Sequence, residues 1–257
     1  MSALAGKTGL IVGVANKRSI AWAIAKAASE AGAQLAVTYQ GERLGDNVRE
    51  LGESLPDPLL LPLDVTDDAQ IAAAFEAIDR KFGGLDFVVH GAAYAPPHEL
   101  SSPFVETTRG GFATALDISA YSLIALARGA LPLMERRGGG SIVTLTYLGS
   151  ERVFANYNVM GVAKAALEST VRYLAADLGP KNVRVNAISA GPITTLAAKG
   201  IAGFNGILQV YRDRAPLRRT VDTSEVASAA LFLLSDAGRA VTAEVLMVDG
   251  GYHAIGM

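Results

Sequence analysis

The chain of 257 residues contains no cysteine. That excludes disulfides, thiol catalysis and cysteine-ligated zinc or iron–sulfur sites. Histidine is scarce: His90, His98 and His253 are scattered, and none falls in a metal-binding motif. There is no excess of one charge, with 23 basic against 25 acidic residues and a formal net charge of -2. No basic tract appears, so nucleic acid is not expected as a partner. The N-terminus, Met1 to Lys7, lacks the apolar run of a signal peptide, and no apolar stretch reads as long enough to span a membrane. A cytoplasmic protein without a membrane partner is the expectation.

Apolar residues and glycine are what the chain has in quantity: half its residues are hydrophobic and 27 are glycine. The length fits one large α/β domain. Lys7 to Val14 reads as a buried strand, Ile20 to Ala31 as a helix closed by Gly32, and Gln34 to Tyr39 as a second strand, which is βαβ spacing. Gly9 and Gly13 mark places where backbone approaches something closely. Ser19 is a good N-cap, and Ser19 and Ile20 open a helix whose N-terminus suits a pyrophosphate. The G-x-G-x-x-G fingerprint is absent; in its place stand Gly9, Gly13 and Ser19-Ile20.

The second strand ends in Gln40-Gly41-Glu42-Arg43. Gln40 suits the ribose hydroxyls of NADH, since no basic residue adjoins it. Arg43 leaves NADPH open, by pairing with a 2′-phosphate, unless it is an ordinary solvated helix residue. A third strand covers Leu59 to Leu63, with Pro62 marking its end or an edge position. Asp64 is a candidate for the adenine amine or, alternatively, a cap for the helix beginning near Asp67. After the fourth strand, Leu85 to His90, the small residues Gly91-Ala92-Ala93 let a flat ring or sugar press on the backbone. Arg109 to Pro132 holds two helical patterns with Asp117, Ser119 and Tyr121 near their junction. Strands alternating with helices predict one doubly wound, mainly parallel Rossmann-like sheet spanning residues 1–257, with ligands at the carboxyl ends of its strands.

The centre of the chemistry is Tyr147 to Lys164. Strand Ser141 to Thr146 delivers Tyr147, a loop follows, and helix Asn158 to Leu178 begins beside Tyr157. Lys164 follows Tyr157 by seven positions, nearly two turns, so both share one face about 10 Å apart along the axis. Gly161 lies between them and leaves room on that face. A phenol and an ammonium aimed at one space suit an oxyanion-stabilising donor and a cation that tunes it. The plain alternative is a half-buried tyrosine and a snorkelling lysine. Further on, Val183 to Ile188 is a strand emptying into Ser189 to Thr195, and Leu196 to Val210 is weakly patterned, with glycines at 200, 203 and 206, like a lid over residues 196–210.

Over its whole length the chain resembles the short-chain dehydrogenase/reductases, and within them the enoyl-acyl-carrier-protein reductases. The resemblance rests on Gly13 with Ser19-Ile20, Thr38-Tyr39-Gln40, Asp64-Val65, Tyr147, Tyr157 to Lys164, Arg184 to Pro192 and Val248 to Gly251. Six residues between tyrosine and lysine is specific to this branch; the commoner branch has three, and here that fourth position is Gly161. The resemblance implies NADH-dependent reduction of the trans-2 double bond of an enoyl-acyl-carrier-protein thioester in fatty-acid biosynthesis, by a homotetramer. It implies catalytic Tyr147, Tyr157 and Lys164. It implies a cofactor site of Gly13, Ser19, Ile20, Gln40, Asp64, Val65, Ala92, Lys164, Ile193, Thr194, Thr195, Leu196 and Ala197, and substrate contact at Ala95. One departure is Gly91-Ala92-Ala93, where the family commonly has Ser-Ile-Gly. The rival readings are a 3-oxoacyl or ketone reductase and a non-catalytic NAD(H)-binding protein.

Overall fold

A computed structural model of the protein describes residues 2–195 and 203–256. Seven strands form one parallel sheet in the order β3-β2-β1-β4-β5-β6-β7. They are β1 Thr8–Val12, β2 Gln34–Tyr39, β3 Leu59–Pro62, β4 Phe87–His90, β5 Gly140–Thr146, β6 Val183–Ala190 and β7 Val245–Val248. Each inner strand is buried on both faces, so its alternate residues feed different cores. In β1, Leu10 and Val12 join one core and Ile11 the other; in β5, Ile142 and Val143 divide the same way.

The helices fill both sides. Helices α1 (Ile20–Glu30), α2 (Gly41–Gly52) and α9 (Thr223–Leu234) cover one face, through residues such as Ile24, Val48 and Leu233. Helices α3 (Asp68–Phe82), α6 (Ser122–Arg136) and α7 (Asn158–Leu178) cover the other, through Ile78, Leu126 and Leu167. Of the shorter helices, α4 (Pro97–Ser101) and α5 (Arg109–Leu116) pack against α7, and α8 spans Phe204–Arg214. Pro62 ends β3, which is also an edge strand, so its missing N–H breaks no inner ladder.

Two expectations need correction. The run Arg109–Arg136 is long and apolar enough to cross a membrane by length and composition. It does not read so in the sequence because it is broken in register: α5 and α6 meet through a π-helical turn at Asp117–Tyr121. Half of its most apolar window is buried inside the fold, as expected of a core helix. The cap of α3 is also not Asp64. Asp67 accepts from the N–H groups of Ala69 and Gln70 and supplies the cap itself.

The strand order reverses direction between β1 and β4, so a crevice opens between their carboxyl ends. Gly13 lies there at φ +98°, and a Cβ on it would stand 2.5 Å from the Gly91 carbonyl. Two strand exits meet closely at that point because neither carries a side chain.

Candidate active site

Tyr157 is the N-cap of α7 and Lys164 lies within that helix; both are buried, at 9% and 6% exposure. The room left by Gly161 is not open. The Gly149 carbonyl fills it: a Cβ on Gly161 would lie 2.7 Å from that oxygen. Gly149 in turn lies so close to the Tyr157 ring that a Cβ there would approach it to 2.5 Å. The two glycines therefore clamp the loop after β5 onto α7, and this loop carries Tyr147. The Tyr147 ring meets Tyr157 edge-on, with centroids 5.2 Å apart, and Phe154 at 4.9 Å.

Burial governs the ionisation of this group. Desolvation pushes the Tyr157 phenol well above its usual range, and the neighbouring Tyr147 and Glu168 push the same way. Tyr147 rises too, mainly by burial. Burial pulls the Lys164 ammonium down to about 8, with the Glu168 carboxylate opposing. Lys164 donates to the Leu145 carbonyl at 2.8 Å. An ammonium has three donors, so capacity is left for a hydroxylated ligand.

Sequence reasoning missed three residues here. Glu168 lies one turn beyond Lys164, and Thr146 donates to it at 2.5 Å; its i+4 spacing from Lys164 was the available signal. His90, fully buried, bridges Ser122 at 2.8 Å and Thr144 at 2.7 Å. Ser122 also donates to the Ile118 carbonyl, and Thr144 to the His90 carbonyl at 3.2 Å, so both hydroxyls tie the ring to backbone. Desolvation, with Lys164 adding to it, holds His90 down at about 3 and neutral. Tyr211 of α8 is the third, and no sequence spacing links it to Tyr147.

Ala95 is buried in one small apolar cluster with Tyr157, Met160 and Ala163, against which Tyr147 and Phe154 pack. The loop bearing it is pinned by Ser119, which accepts from the Tyr94 N–H and donates to the Tyr94 carbonyl. That fixes the use of the π-helical turn: it aims Ser119 at this loop.

The nucleotide end is built separately. Gln40 donates to Asp64 at 3.0 Å, so the ribose and adenine candidates form one polar pair beyond β2 and β3. Hydrogen bonds from Thr66, with Gln40 assisting, hold the Asp64 carboxyl below its usual range. Val65 is packed against the apolar core beneath, as is Ala92. Ser19 precedes α1, but its side chain does not cap the helix. Its hydroxyl accepts from the N–H groups of Ala15 and Asn16, and so shapes the β1–α1 loop instead. Ile20 begins α1 and packs on the adjacent core. A cleft of ≈ 290 Å³ joins Lys17 and Arg18 of that loop to Pro192, Ile193 and Thr194. Thr195 adjoins them, whereas Leu196 and Ala197 lie outside the described residues, as does the first half of the stretch 196–210. The rest of that stretch is helical: Gly203 takes φ +77° and α8 starts at Phe204.

Residues 13–253 match the family model described as enoyl-(acyl carrier protein) reductase. The chain belongs to this family. It is 54% identical to the NADH-type enoyl-[acyl-carrier-protein] reductase of Bacillus cereus, with both chains covered in full. It is 51% identical to the NADPH-type enzyme of Staphylococcus aureus, over 98% of each. The crystal structure of the Bacillus cereus reductase with NADP+ and indole naphthyridinone superposes with a TM-score of 0.97, covering 100% of both chains. The reductase membership and the seven-stranded Rossmann-like fold agree with the sequence reading.

Proposed function

We infer that this protein reduces the trans-2 double bond of enoyl-acyl-carrier-protein thioesters with NADH, in fatty-acid biosynthesis. The observation that carries the reading is that Tyr157, at the N-cap of α7, and Lys164 within it are both buried, with Tyr147 against Tyr157 and an apolar cluster at Ala95. A ketone reductase of the commoner branch needs a lysine four residues after the tyrosine, and Gly161 stands there.

The residues present fit a nicotinamide dinucleotide. Lys164 has donors to spare for the nicotinamide ribose, the Gln40–Asp64 pair suits the adenosine, and the loop before α1 with Thr194 suits the pyrophosphate. The bound cofactor supplies a hydride to the β-carbon of the conjugated thioester. Charge then builds on the thioester oxygen, and the Tyr157 hydroxyl, kept protonated by its burial, donates a hydrogen bond to it. Lys164 adds positive potential beside that phenol. Ala95 and its apolar neighbours keep water from the reacting atoms. Tyr147 is the second donor facing the substrate. The ionised Asp64 beside Gln40 repels a 2′-phosphate, which favours NADH over NADPH. The working form in this reading is a cytoplasmic homotetramer.

The test is to incubate the protein with crotonyl thioester and NADH or NADPH and follow absorbance of the reduced cofactor. NADH is consumed only when the enoyl thioester is present, and more efficiently than NADPH. Turnover of a 3-oxoacyl thioester instead would make it a ketone reductase. NADH binding with no turnover of either substrate would leave a binding protein.

A further inference from the structure

We propose that the buried Glu168 is the counter-charge and positioning residue of Lys164, fastening α7 to the exit of β5 so that the ammonium faces the cofactor's ribose. This role rests on the reading that Lys164 holds that ribose. Two opposite charges are buried in one place: Lys164 and Glu168 lie one turn apart on α7, and each is 6% exposed. Helical side chains lean toward the N-terminus, so Glu168 reaches back over the turn that carries Lys164. Their partners are consecutive residues of β5. Lys164 donates to the Leu145 carbonyl at 2.8 Å, and the Thr146 hydroxyl donates to Glu168 at 2.5 Å. The Leu145 carbonyl and the Thr146 nitrogen belong to one peptide bond, so both long side chains end beside the same stretch of strand.

Packing does not call for a charge here, since a glutamine would offer Thr146 the same acceptor. A buried carboxylate is costly unless hydrogen bonds and an opposite charge compensate it. The bond from Thr146 has the length of a hydroxyl bound to an ionised acceptor. Lys164 supplies the opposite charge, and the support is mutual: burial lowers the ammonium's pKa to about 8 while Glu168 opposes the fall. Among the described residues, the other groups around Lys164 bring no negative charge to it. His90 of β4 is neutral, and the Tyr157 and Tyr147 phenols keep their protons. On the remaining elements packed against α7, the charged side chains of α5, α6 and the π-helical turn are exposed. Glu99 of α4 is taken up by Thr108, and Arg184 of β6 donates to the carbonyls of Leu233 and Val241.

The experiment follows the Lys164 ammonium directly, by NMR of the full-length protein labelled at its lysine ε-carbons, with Lys164→Ala to assign the signal. NADH affinity is titrated by fluorescence from about pH 6 to pH 9, with the thermal midpoint alongside. In the wild type Lys164 titrates near 8. Glu168→Gln keeps the acceptor for Thr146 and removes the charge. Its Lys164 titration moves about one to two pH units lower, as for unit charges roughly 6 Å apart in a protein. NADH affinity then falls roughly fivefold near pH 7.5, where the lysine has lost its proton, and stays within about twofold of wild type near pH 6, where it largely holds it. Glu168→Asp keeps the charge on a shorter arm, so Lys164 titrates near its wild-type value while the thermal midpoint drops. An unmoved Lys164 titration in Glu168→Gln overturns the proposal. So does an affinity loss equal at every pH, which marks a merely structural residue. A wild-type Lys164 titrating near 6 or lower, where an uncompensated buried lysine lies, overturns it without any variant. A Lys164→Ala protein that binds NADH like the wild type removes the reading of Lys164 as the ribose ligand, and this inference with it, even where the Glu168→Gln titration shows the two charges to be coupled.

Discussion

Tyr157 and Lys164 are both buried, and burial moves their ionisation in opposite directions. The phenol keeps its proton, and in the proposed mechanism it meets charge only as the thioester oxygen becomes negative. Tyr157→Phe should lower turnover on the order of a hundredfold, the usual cost of one such donor, while NADH affinity, read by fluorescence titration, stays the same. Lys164→Ala should weaken NADH binding directly, because in the proposed mechanism that ammonium holds the ribose throughout the cycle. The depressed lysine also sets a pH signature. Its folded pKa of about 8 lies below the ordinary 10.5, so between those values the folded chain holds fewer protons than the unfolded one. This group's contribution to stability therefore rises with pH across that window, having been a penalty below it. Cofactor binding runs the other way, since the ribose prefers the charged ammonium. NADH affinity should fall as pH passes about 8, and calorimetry in buffers of different ionisation enthalpy should show proton uptake on binding near pH 8.5. Proton-neutral binding there would contradict it.

At the scale of elements, the site depends on the clamp between the loop after β5 and α7. Gly161 and Gly149 let backbone and ring approach more closely than any side chain allows. Gly161→Ala places a methyl against a carbonyl oxygen that belongs to backbone, so the loop must move and Tyr147 moves with it. Overpacking of this kind costs about 1–3 kcal/mol, and thermal denaturation should record that loss together with a fall in kcat. A variant as stable and active as wild type would mean that the loop yields freely.

For the whole molecule, apolar side chains remain exposed on one set of helices. Phe112 and Tyr121, from α5 and the π-helical turn, and Val162 and Tyr173, from α7, are 36% to 78% exposed. Such a surface suits further copies of the chain. Sedimentation equilibrium should give four chains per particle at micromolar concentration, and a monomer would remove the tetramer from the reading.

The sequence by itself determined the elements and the central pair. Alternating strand and helix patterns fixed a parallel sheet, because strands buried on both faces leave unbroken apolar runs. Helix geometry is local, so periodicity gave α7 as Asn158–Leu178, with Lys164 inside it and Tyr157 at its N-cap. What depended on distant segments was decided only by the tertiary structure. The space at Gly161 is taken by a carbonyl from the preceding loop, Ser19 turns to its own loop rather than capping α1, and Asp64 meets Gln40 across two strands. Tyr211 of α8 stacks on Tyr252 some forty residues further along the chain. Periodicity encodes which face a residue takes on its own element, whereas the meeting of two elements is set by sheet order and packing, which no local pattern carries.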